Sequence, residues 1–408
     1  MNIRALHRAP WWKFLLVPVV VTGTPCVAEA ADSSGERAVR GETLGFAVTT
    51  FRYANYTGAD DCPDGLAPSA REIFLERAAP DVRSRLINPE RDAELQLLAS
   101  QAPDGSDVCS SPTAALSRAP DYPSFRSVQG NVSYGLDLDG RDNGEKTAPN
   151  TCAHKNFVGT NGEKGIDNQF YRATGCMKLI RWDKAAGESF NDAFDWANGD
   201  GQDAINFKMG EMTILIEVEG VDDKLNDPDV TVGFYSGRNA MVNDAQGRLV
   251  ANTSQTSTDD PRYRVKVKGQ IRDGVVITEP QDMRFRYVYA ASETEHVFRG
   301  ARLELKLLPD GRAQGILAGY KPLESVYWWQ QGTFGRQMAT DMARDCAGMY
   351  KVLQQMADGY PDPETGQCTA ISAAHAVNAV PAYIFHPKDS EIDARRQELA
   401  SADLMARP

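Results

Sequence analysis

Between residues 212 and 320 the chain alternates, one residue at a time, between side chains that avoid water and side chains that seek it. Seven short segments, 212–220, 229–237, 262–271, 274–278, 284–290, 298–308 and 311–320, carry this pattern or are rich in β-branched residues. Val265 and Val267 alternate with Lys266 and Lys268, and Leu303, Leu305 and Leu307 alternate with Glu304 and Lys306. A period of two puts alternate side chains on opposite faces of a strand, so each strand has one dry and one wet face. Asn226-Asp227-Pro228-Asp229 and Pro309-Asp310-Gly311 are turn-forming breaks between them. The expected core is an antiparallel β-sandwich or barrel over residues 205–334.

Around this block the pattern changes. Residues 46–53 read as a first strand, 68–74 and 90–100 as short helices, and 165–175 as a helix that opens near Asp167 and stops at Gly175. Past Gly335, Met338, Met342, Cys346, Met349, Leu353 and Met356 recur at steps of three and four, which makes one stripe on a helix. That spacing assigns the methionines to packing rather than to a soft metal. Alanine-rich 370–379 reads as a second short helix, which makes His375 a capped or surface histidine, and residues 386–408 read as a charged tail. The expected class is α+β and β-rich: a loop-rich, cysteine-containing region with short helices (46–204), the β-domain (205–334) and a helical, cysteine-stapled region (335–385).

The first 30 residues have the three parts of an export signal: basic Arg4, Arg8 and Lys13, an apolar run over 14–21, and small residues at Ala28 and Ala30. Residues 31–45 then form a flexible lead-in. Three basic residues and one acidic residue leave with the signal, so 41 Lys and Arg face 55 Asp and Glu and the net charge is near −14. Such a surface repels phosphate backbones and excludes nucleic acid as a partner. No later segment is apolar enough to cross a membrane, and the expected location is periplasmic or extracellular. Six cysteines remain: Cys62, Cys109, Cys152, Cys176, Cys346 and Cys368. An even number in an exported chain implies three disulfides, and proximity favours Cys62 to Cys109, Cys152 to Cys176 and Cys346 to Cys368.

The chemistry-bearing stretch lies at 134–176 and contains two Asn-Gly turns, at 143–144 and 161–162. Asp137, Asp139, Asp142 and Asn143, with Asp167 and Asn168 folded back, could present the six to eight oxygens that calcium takes. An EF-hand is excluded, because Arg141 stands where a ligand belongs. Two readings stay open: an ordinary solvated acidic loop, or a calcium site that is structural rather than catalytic. Zinc spacings, GxSxG and phosphate-cradling glycine motifs are all missing from the sequence. Trp328 and Trp329 follow the last strand, and an exposed indole there suits a glycan or an envelope partner. The expected function is therefore a non-enzymatic binding or envelope-associated exported protein. The alternative is a secreted hydrolase acting on carbohydrate, with its acids among Glu188, Asp192 and Asp195.

Overall fold

The computed structural model describes residues 41–99, 101, 111, 126–142, 152–177, 202–246, 249–289, 292–328 and 346–405. All seven alternating segments are strands. In chain order the strands are β1 (Glu42–Tyr53), β2 (Ile214–Val221), β3 (Asp227–Ser236), β4 (Thr253–Thr256), β5 (Arg264–Arg272), β6 (Val275–Thr278), β7 (Gln281–Tyr289), β8 (Ser292–Leu307), β9 (Ala313–Pro322), β10 (Gly359–Pro361) and β11 (Cys368–Phe385). Eight of them pair antiparallel in the order β1-β2-β3-β5-β6-β8-β9-β11, and β11 returns to pair with β1. The ring is a closed barrel with no exposed edge, which removes the row of unpaired backbone groups that an open sheet presents. Three strands add to it: β7 pairs with the first half of β8, β4 runs parallel to the end of β11, and β10 pairs with its start.

The alternation read in the sequence decides which side faces in. Leu303 and Leu305 of β8 are fully buried in the main core, with Val232 of β3 and Val276 of β6. Seven helices decorate the barrel: α1 (Ala70–Arg77), α2 (Pro80–Leu86), α3 (Asp92–Ala99), α4 (Gln169–Thr174), α5 (Gln202–Lys208), α6 (Cys346–Met356) and α7 (Asp389–Met405), counted among the described residues. Ser69 and Glu72 form a reciprocal capping box at the start of α1, which satisfies backbone N–H groups that a helix start leaves unpaired. In α6 the stripe residues Met349 and Leu353 are buried in the main core with Phe207 of α5. Met338 and Met342 lie outside the described residues. No helix among the described residues is long and apolar enough to cross a membrane.

The alanine-rich stretch 370–379 is a strand and not the expected helix. Alanine favours a helix in isolation, but here the backbone from Ala370 to Ala379 pairs with β9 on one side and, from His375 onward, with β1 on the other. The small side chains serve both faces. Ile371, Ala373, Val377 and Ala379 point into the main core, while Ala374 lies with Ala318 of β9 beneath Leu136 and Leu138. His375 is therefore buried in a strand rather than on a helix surface.

The cysteine pairing follows the fold and not proximity along the chain. Cys62 bonds Cys176, and Cys152 bonds Cys368, across 114 and 216 residues. These bonds overturn all three expected pairs: Cys62 to Cys109, Cys152 to Cys176 and Cys346 to Cys368. Cys368 opens β11, and closure of the barrel carries it to the acidic loop that holds Cys152. Cys109 and the side chain of Cys346 lie outside the described residues.

Candidate functional site

The acidic loop is laid on the outer wall of the barrel by the same period of two that builds strands. Leu136 and Leu138 are buried against Ala54, Ala318 and Ala374. The alternate residues Asp137 and Asp139 consequently turn away from the wall. Leu136 forms a β-bridge with Asp167, and Phe157 with Ile166, so the chain folds back without the expected Cys152 to Cys176 staple. Arg302 of β8 donates to the Asp137 carbonyl oxygen at 3.0 Å and pins the loop to the barrel.

Carboxylate oxygens of Asp137, Asp139 and Asp167 lie within 4.8 Å of one another. Asp167 is 3% exposed. Its Oδ2 accepts from the Leu138 N–H at 2.8 Å and its Oδ1 from Asn156 Nδ2 at 2.6 Å. Each carboxylate oxygen has two lone pairs, so these bonds leave acceptor capacity for a cation. Asp137 Oδ1 accepts from the Gly140 N–H at 2.7 Å, and Asp139 Oδ1 from the Arg141 N–H at 2.9 Å. Gly165 has φ +75°, and a Cβ there would stand 3.3 Å from the Asp137 carboxyl group. A side chain at that position would meet both backbone strain and crowding.

Burial pushes the Asp167 carboxyl up to about 8, and the charges of Asp358, Asp139 and Asp137 add to that shift against the Leu138 N–H. Burial also pushes Asp358, which follows α6, up to about 7, although the Ser372 N–H donates to its Oδ1 at 2.7 Å. A cavity of about 590 Å³ adjoins the cluster, lined by Asp139, Arg141, Asp358, Tyr320, Tyr360 and the Cys152 end of a disulfide. Tyr320 and Tyr360 meet edge to face with ring centroids 5.6 Å apart. Tyr360 has φ +54°, a left-handed conformation uncommon for a bulky residue, which sets its ring at the cavity wall.

The expected ligand residues are only partly assembled. Asp137, Asp139 and Asp167 converge. Asp142 is exposed and does not belong to the converging set, and Asn143 lies outside the described residues. Asn168 is committed to the fold: its Oδ1 caps α4 at Tyr171, and its Nδ2 donates to Ser133 Oγ and the Tyr134 carbonyl. Asp358, Tyr320 and Tyr360 were not read from the sequence, because the loop, β9 and β10 meet only in the folded barrel. Trp328 is 44% exposed and stands edge-on to Tyr327, which packs against Tyr350 of α6. Trp329, Glu188, Asp192 and Asp195 lie outside the described residues.

A second cluster joins Ser257, His386 and Glu217. Ser257 Oγ is 2.9 Å from His386 Nδ1, and His386 Nε2 is 2.8 Å from Glu217 Oε2. The order of groups is that of a nucleophile relay, but Ser257 is 0% exposed and Arg264 Nη1 donates to its Oγ at 2.6 Å. A hydroxyl enclosed beneath a guanidinium has no path to a substrate. Beside the cluster, Glu219 on the same strand as Glu217 pairs with Lys266 Nζ at 2.6 Å. The cluster is a clamp that ties the end of β11 to the barrel wall. No protein-family model, curated protein or solved structure matches the chain.

Proposed function

We propose that the protein is an exported, non-enzymatic binding or envelope-associated barrel, with a structural calcium ion held by Asp137, Asp139 and Asp167. The observation that carries this reading is the convergence of three carboxylates, one of them the buried Asp167. The donor set is all oxygen, which suits a hard cation. A divalent ion would also relieve the repulsion that drives Asp167 toward its protonated form. The adjoining cavity, with Asp358 and the Tyr320 and Tyr360 rings, is the surface offered to a ligand. Export is supported by the N-terminal leader pattern and by two disulfides, which persist in oxidising compartments.

The test is thermal unfolding of residues 31–408 under oxidising conditions, with excess calcium and with chelator. Calcium raises the midpoint by several degrees, as expected for a ligand that binds only the folded state, and Asp139→Ala abolishes the shift. Equal midpoints with and without calcium would make the aspartates an ordinary solvated loop. Because the ion must displace the proton on Asp167, calorimetric calcium affinity is expected to rise as pH increases through about 8.

A further inference from the structure

The centre of the barrel holds a group of bases that the calcium loop does not use. Lys321 of β9 is 1% exposed, and its Nζ lies 3.0 Å from His296 Nδ1 of β8 and 3.2 Å from the Tyr53 hydroxyl of β1. His375 of β11 is 1% exposed, and its ring centroid is 5.7 Å from that of His296. Neither ring nitrogen of His375 has a hydrogen-bond partner among the described residues. Among the described residues, aromatic rings pack around the trio. Phe51 stacks on His375 at 4.6 Å, Tyr53 approaches it at 4.4 Å, and Phe298 meets it edge-on. From β7, Tyr287 stands edge-on to His296, and Phe170 of α4 stacks on Tyr53. Among the described residues, the titratable groups in ring or hydrogen-bond contact with the trio are the phenols of Tyr53 and Tyr287. The charges acting on His375 are those of Lys321 and His296.

We propose that Lys321, His296 and His375 form an acid-sensitive latch at the centre of the barrel, closed while the three share at most one proton and opened when acid forces in a second. A charge inside an aromatic shell is poorly solvated, and a second like charge at this spacing repels the first in a medium of low dielectric. Burial, followed by the charge of Lys321, holds both imidazoles well below their ordinary value, and burial brings Lys321 down to about 7.

The sign of the effect follows from these directions. Each histidine binds a proton more readily in the unfolded chain, so its cost to stability is absent above about 6.5 and grows as pH falls below it. For Lys321 the same loss runs from about 10.4 down to about 7, after which the folded barrel carries its charge. Each pH unit below about 6.5 therefore shifts the unfolding equilibrium by up to about tenfold per histidine. β1, β8, β9 and β11 each supply one group to the cluster, so opening there parts the wall where the barrel closes.

The experiment compares urea unfolding of the mature protein and of His375→Phe at about pH 7.5 and about pH 5.5. The natural protein loses about tenfold more of its folding constant than the variant between the two conditions. Equal losses would overturn the latch. Should His375→Phe fail to fold, His296→Phe replaces it. Nitrogen-15 spectra of the histidine rings in the folded natural protein at the lower pH give a second readout. His296 and His375 are expected to remain neutral there, and an imidazolium signal from either in the folded state would sink the proposal.

Discussion

Asp167 is a buried carboxyl through which the proposed calcium site would be coupled to pH. Its folded value is raised above that of the unfolded chain, so its contribution to stability is fully present in acid and is lost as pH rises through about 8. In chelator, the natural protein is therefore expected to lose stability between about pH 4 and about pH 8 from this group, and Asp167→Asn to flatten that slope. The same substitution places an amide where the Leu138 N–H and Asn156 Nδ2 both donate. One of those donors loses its acceptor, and Asp167→Asn is expected to be less stable than the natural protein at the lower pH by about 1 to 3 kcal/mol. Urea midpoints at the two pH values, with chelator present, check both parts. Asp137, Asp139 and Asp167 were legible as candidates because clustered acids in a glycine-containing loop are a local signal. Asp358 was not, since a single Asp before Gly359 has no local feature that places it beside a loop two hundred residues away in the chain.

The element that decides the site is β11. Its residues Ile371, Ala373, Val377 and Ala379 fill the barrel, and Ala374 on the opposite face leaves room for Leu136 and Leu138. Ala374 is fully buried, so Ala374→Leu is expected to overpack this seam and destabilise the fold by about 1 to 3 kcal/mol. It is also expected to lift the loop and weaken calcium binding more than its stability cost alone accounts for. Denaturant unfolding and calorimetric titration measure the two effects separately, and an unchanged calcium affinity would detach the loop from the wall. Helix propensity pointed the wrong way for this stretch. Residues 370–379 are helix formers, and only the slot between β1 and β9, which completes their backbone hydrogen bonds, makes them a strand.

At the scale of the molecule, the barrel closes between strands from opposite ends of the chain, and one disulfide anchors the acidic loop to its last strand. Cys152→Ser with Cys368→Ser removes a bond that spans 216 residues and is expected to cost about 2 to 5 kcal/mol. Because Cys152 also lines the cavity, calcium affinity should fall in the same variant. Non-reducing peptide mapping of the natural protein should recover Cys62 linked to Cys176 and Cys152 linked to Cys368. Recovery of the proximity pairs would contradict the fold. By itself the sequence determined the seven central strands, the first strand, a short helix at 68–74, the Met349 and Leu353 face of α6 and the acidic character of the loop that carries Asp137 and Asp139. Each of these is written in the spacing of neighbouring side chains. Closure of the barrel, the strand conformation of β11, the disulfide partners, the convergence of Asp137, Asp139 and Asp167, the cavity beside Asp358 and the burial of Lys321 against His296 were decided only by tertiary structure. They are contacts between residues far apart in the chain, and periodicity and propensity report only on near neighbours.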